Sequence, residues 1–120
     1  MRFSAITILA AALAGCAHTT AGFRQQAPKL EMISDKKPEA ISGCVTEAWA
    51  KTRLPTSYTP LPRGGSVSLD VPTLLISTGN KFGVVDAESV DGRTRVRIYG
   101  INMVGAKQNR VAFEAAKACL

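Results

Sequence analysis

Histidine is nearly missing from this chain: His18 is the only one in 120 residues. Zinc held by several imidazoles is therefore excluded, and a Ser-His-Asp or Cys-His relay would have to rest on that single side chain near the N-terminus. Aromatic residues are scarce too, with one Trp, two Tyr and four Phe. Trp49, Tyr58 and Tyr99 are too scattered to form the stacking platform that holds single-stranded nucleic acid, so no nucleic-acid partner is expected. Gly64-Gly65 is not followed by the Lys-Ser/Thr and helix start of a phosphate-cradling loop. The apolar run at residues 5–13 is well short of the roughly 20 residues a spanning helix needs. A retained transmembrane anchor is not expected. Acidic residues are also in deficit, 9 against 15 Lys and Arg, which leaves a net charge of +6.

What is present begins with Met1-Arg2-Phe3-Ser4, a short basic start, followed by that apolar run and then by Leu13-Ala14-Gly15-Cys16. This order of charge, apolar core and small residues is that of a signal peptide. The last four residues resemble the lipobox of bacterial lipoproteins at every position. Small Ala14 and Gly15 admit a peptidase to the backbone, and the Cys16 thiol is the atom that can carry a diacylglyceryl thioether. The resemblance implies cleavage before Cys16, followed by acylation of its sulfur and of its new amino group. Each buried methylene contributes about 0.8 kcal/mol, so two or more chains anchor stably where one is marginal. The membrane is then the first partner, held through the diacylglyceryl and N-acyl chains on Cys16. Ala17 stands where Asp would favour retention at the inner membrane, which implies the periplasmic face of the outer membrane.

Residues 1–15 are thus expected to be a signal peptide, 16–36 a lipidated flexible tether, and 37–120 a small α+β periplasmic domain. Loss of Arg2 leaves 14 basic against 9 acidic side chains, a mature charge of +5. The tether carries Thr, Gln, Pro and charges without sustained periodicity and would span roughly 25 Å as a flexible coil. Phe23, Leu30, Met32 and Ile33 are its residues able to dock onto the domain. A domain this small is marginal on its core alone. Cys44 and Cys119 sit near its two ends, and export places them where disulfides persist. Two buried free thiols or a zinc pair are the alternatives, although zinc requires more ligands. A bridge would close a loop of about 75 residues and contribute roughly 4 kcal/mol in the chain-entropy model.

Pro38 suits a first helical turn. After it Ile41, Cys44, Val45 and Ala48 recur at helical spacing, with Trp49 one step on, and the helix should fade before Pro55. Ala112, Ala115, Ala116 and Cys119 repeat that spacing near the C-terminus, so both cysteines are expected on buried faces. Between these helices the period becomes two. Val67, Leu69 and Val71 alternate with Ser66, Ser68 and Asp70 as a half-buried strand, and Thr73–Ser77 is a second apolar run. In "GVVDAESVDGRTRVRIYG", Asp91-Gly92 is a favoured two-residue hairpin turn. It sets Glu88 opposite Arg95, Asp86 opposite Arg97, Ala87 opposite Val96 and Val85 opposite Ile98, with charges on one face and apolar pairs on the other. The expected fold is a helix, three or four antiparallel strands and a helix, with an inter-helix disulfide. This layout resembles small Gram-negative envelope lipoproteins, which implies a fold and an envelope setting and no activity.

Arg93, Arg95 and Arg97 form a basic stripe, with Tyr99 and Ile101 as an exposed tip, and together they are the candidate partner-contact face. An envelope protein or an anionic envelope polymer would suit it, whereas neutralisation by Asp86 and Glu88 would make it an ordinary solvated face. Asp86 and Glu88 flanked by arginines are a poor acid pair for hydrolysis, because neighbouring cations lower a carboxyl pKa. No cofactor, metal or catalytic set is expected. The residues therefore favour a non-enzymatic lipoprotein that binds or supports another envelope component. An inhibitor or immunity lipoprotein acting on a toxin, lysozyme or phage comes second, and a cell-wall hydrolase last.

Overall fold

A computed structural model describes residues 19–52, 55–71, 81–101 and 106–120. In chain order the elements are α1 (Thr20–Arg24), β1 (Leu30–Ser34), α2 (Pro38–Ala50), β2 (Thr56–Leu61), β3 (Gly64–Asp70), β4 (Lys81–Val90), β5 (Arg93–Gly100) and α3 (Ala106–Lys117). The Asp91-Gly92 turn organises the sheet. Both residues take positive φ, 51° and 77°, which gives the connection a twist matching that of the strands it joins. The β4–β5 register is the one the turn predicts, with Val85, Asp86, Ala87 and Glu88 opposite Ile98, Arg97, Val96 and Arg95.

Among the described residues the sheet has five antiparallel strands in the order β1-β5-β4-β3-β2. The fold class is therefore α+β, as expected, with one strand more than the three or four anticipated. The alternating run expected at 66–71 falls in β3, which ends at Asp70, one residue before Val71, and bulges between Leu69 and Asp70. Two strands carry weaker periodic signals. β2, with sequence TSYTPL, is largely polar, and its Pro60 is tolerated because β2 is an edge. β1 lies inside the segment expected to be a tether. The apolar run at Thr73–Ser77, like Cys16 and His18, lies outside the described residues.

From Thr19 onward, then, the tether reading for 16–36 is corrected. Thr19 caps α1 through its hydroxyl, which accepts from the Gly22 amide at 3.1 Å. Phe23 is fully buried, and Leu30–Ser34 pairs along β5. Phe23 decides this outcome. Its ring packs with Val84 and Tyr99 on the face of the sheet opposite α2 and α3, and burying a side chain of this kind contributes about 1.5–3 kcal/mol. The ring sits directly over Gly100, where a Cβ would overlap it. Gly100 also takes φ +68°, a conformation that glycine adopts without steric cost.

The main core lies on the other face. Val67, Leu69, Val85, Ala87, Val96 and Ile98 from the strands meet Ile41, Val45 and Trp49 of α2 and Ala112 and Ala116 of α3. The Trp49 Nε1–H donates to the Ala112 carbonyl at 3.0 Å, so the buried indole satisfies its one donor and ties the helices together. Cys44 and Cys119 are bridged, with Cα atoms 5.7 Å apart across a separation of 75 residues. Cys119 is buried as expected, whereas Cys44 is exposed. The buried line on α2 runs through Ile41, Val45 and Trp49. That i, i+4, i+8 ridge places Cys44 at its margin.

Candidate functional site

The basic stripe lies on the face of the sheet that carries α1. Arg95 and Arg97 are flanked on one side by Glu88 and Asp86 of β4 and on the other by Ile33 and Glu31 of β1. The Cα register brings the expected charges side by side, yet the ion pairs differ from those expected. Asp86 is claimed by Arg24 of α1, whose Nε and Nη2 donate to its two carboxylate oxygens at 2.8 and 3.0 Å. The same Nη2 donates to Ser66 Oγ at 3.2 Å. Arg97 pairs with Glu31 at 3.2 Å and Arg93 with Asp35 at 2.8 Å. The reason is that the segment thought to be a tether brings its own charges to the sheet. Hydrogen bonding to Asp86 raises the Arg24 pKa above its ordinary value, against the opposing effect of burial.

With Arg93 and Arg97 bonded to carboxylates and Arg95 facing Glu88, the stripe is electrically matched, and a free anion would meet little surplus charge. The candidate contact tip is also corrected. Tyr99 is 4% exposed and Ile101 fully buried. Ile101 takes φ +64° directly after left-handed Gly100. The pair of residues turns the chain so that Ile101 crosses to the α2–α3 face and lies against Gly83, where a Cβ would crowd it. Strict alternation past Tyr99 misses this turn. Asp86, the better placed of the two carboxylates considered for hydrolysis, is 5% exposed and has both oxygens committed to holding α1.

A different surface offers a recess. Between α2 and α3 lies a groove of about 430 Å³, lined from the α2 side by Ala48, Lys51 and Thr52 and from α3 by Lys107, Gln108, Val111, Ala112 and Ala115. Its volume lies within the usual range for ligand clefts, roughly 300–1,000 Å³. The depth comes from alanines, since small side chains at the helix contact leave space that larger ones would fill. Val111 is 53% exposed on its wall, two lysines stand at its edge, and among the described residues no acidic side chain lines it. On another flank of α3, Lys29, Asn109, Arg110 and Phe113 border a more open hollow of about 340 Å³, where Lys29 and Arg110 add positive charge. Sequence reasoning passed over this groove because it treated the α3 alanines only as core. The available signal was Val111, an apolar residue beside the Ala112–Ala116 stripe.

At the end of β3, Asp70 accepts from Ser57, from Ser68 at 3.0 Å and from Lys81 at 2.8 Å, which anchors the strand ends at the bulge. Among the described residues no group of three or more His, Cys, Asp and Glu could hold a metal ion, and no helix is long and apolar enough to cross a membrane. No family model, curated protein or solved structure matches the chain.

Proposed function

We propose that this chain is a non-enzymatic lipoprotein, anchored through acylated Cys16 at the periplasmic face of the outer membrane, that binds an acidic segment of another envelope protein. The observation that carries the binding part is the α2–α3 groove, with its apolar floor, its Lys51 and Lys107 rim and, among the described residues, no acidic lining. A partner segment with one or two apolar side chains between carboxylates would bury against Val111 and Ala115 while its charges met the lysines. Rim charges of this kind govern encounter and register more than total affinity. The lipobox reading of Leu13–Cys16 supports the anchor.

Two measurements test the proposal. Mass spectrometry of the protein from its native envelope should give a chain beginning at an acylated Cys16, and an intact Met1 with a bare thiol would overturn the anchor. Capture from solubilised envelopes should yield an envelope protein that also binds when purified. The Lys51→Glu/Lys107→Glu double variant should weaken that binding by about tenfold, near 1.4 kcal/mol. Unchanged affinity in the variant, or retention of lipopolysaccharide in place of a protein, would overturn the groove assignment.

A further inference from the structure

We infer that the sheet face carrying α1 is a membrane-contact surface that lies against lipid headgroups, with the α2–α3 groove turned away from the bilayer. The inference rests on the proposed acylation of Cys16 and adds to it an orientation. Cys16 precedes Thr19 by three residues, a reach of at most about 11 Å when fully extended. Thr19 is the cap of α1, and α1 is fixed to the sheet by buried Phe23 and by the fork of Arg24 on Asp86. A lipid at Cys16 is thus tied by a very short link to one particular face of the domain. A coil of twenty residues would have allowed every orientation, whereas three residues confine the domain to the bilayer surface and select the face on which α1 lies.

The side chains on that face suit headgroups. Ile33 is 42% exposed and stands opposite Arg95 on the open side of the sheet. Arg93 and Arg97 lie along the same strand face. An apolar side chain among guanidinium groups matches the boundary between acyl chains and phosphates, where amphipathic surfaces settle. Glu31 and Asp35 pair with Arg97 and Arg93, so the contact is enforced chiefly by the short link and little by net charge. It should therefore persist at high salt, where a purely electrostatic contact would be screened.

The test uses the acylated protein reconstituted into vesicles of phosphatidylethanolamine and phosphatidylglycerol that carry a photoreactive headgroup, with labelled peptides mapped by mass spectrometry. Label is expected on the peptides holding residues 25–35 and 93–99, and on the α3 peptide holding Lys107 and Val111 at roughly fivefold lower yield or less. Insertion of about 20 Gly/Ser residues after His18 should erase that contrast, because the domain would then sample a volume tens of ångströms across. Equal labelling of both faces with the native link, or preference for α3, would overturn the orientation. The acyl mass is read in the same sample. Should Cys16 arrive bare, the anchor reading fails separately, and the orientation is then tested by coupling a maleimide phospholipid to Cys16, the one cysteine outside the Cys44–Cys119 bridge. The same labelling contrast is expected there, and its absence would overturn the orientation on its own terms.

Discussion

The two faces of the sheet are held by different physics. Towards α2 and α3 the strands present Val67, Leu69, Val85, Ala87, Val96 and Ile98, and the contact is a continuous apolar core. Towards α1 they present Ser66, Ser68 and Asp86, with only Phe23, Val84 and Tyr99 forming a small apolar cluster. The first face is non-directional and tolerant of small shifts. The second depends on the bond angles of one guanidinium and on one ring seated over a glycine. Stability therefore resides mainly on the helix side, where Leu30 and Met32 of β1 also pack, whereas the position of α1 is decided on the other.

That contrast can be broken from the helix side first. Trp49→Ala removes the largest fully buried side chain and its bond to Ala112. A loss of about 4 kcal/mol is expected, the usual range for a large aromatic in a core, and urea melts will show it as a lower midpoint. Opening the bridge with Cys44→Ser/Cys119→Ser should cost nearly as much, roughly 4 kcal/mol for a loop of 75 residues. Because Cys44 is exposed, a mild reductant should give the same shift without mutation.

On the α1 side the effects should be smaller and local. Arg24→Ala leaves Asp86 without its fork, and with Arg24 more than a third exposed a loss of about 2 kcal/mol is expected. Its signature is selective. Amide exchange should quicken in residues 20–34 while the amides of α2 stay protected, and uniform loss of protection would contradict the division between faces. The smallest change expected is a gain. Ser42 Oγ is buried without a hydrogen-bond partner, so Ser42→Ala should be neutral or stabilising by up to about 1 kcal/mol, visible as an unchanged or higher melting temperature.

The hairpin was fully legible in the sequence, because a two-residue turn and a period of two fix register together, and a slip would have spoiled both faces. The two long helices were legible through spacing, and the bridge was rightly expected, although the spacing put Cys44 on a buried face and it is exposed. α1 and β1 were not. A five-residue helix and a five-residue edge strand carry too little periodicity to stand out, and their stability comes from tertiary partners more than 60 residues away, as with Arg24 and Asp86. Ile101 was misplaced because alternation assumes extended backbone, and two successive left-handed residues end that assumption. The groove stayed hidden for a related reason: alanine spacing reads as core whether or not the facing helix closes the space.

The strand order has a consequence for timing. α1 and β1 are made early, yet they dock on β4 and β5, whose residues leave the ribosome some sixty positions later. Non-local pairings of this kind cannot form until their loop closes. During synthesis Phe23 and the Leu30–Ser34 edge therefore have nothing to grip until the hairpin is made. Once the hairpin arrives, the same stretch is drawn down onto the sheet, so the first residues made are among the last to be fixed.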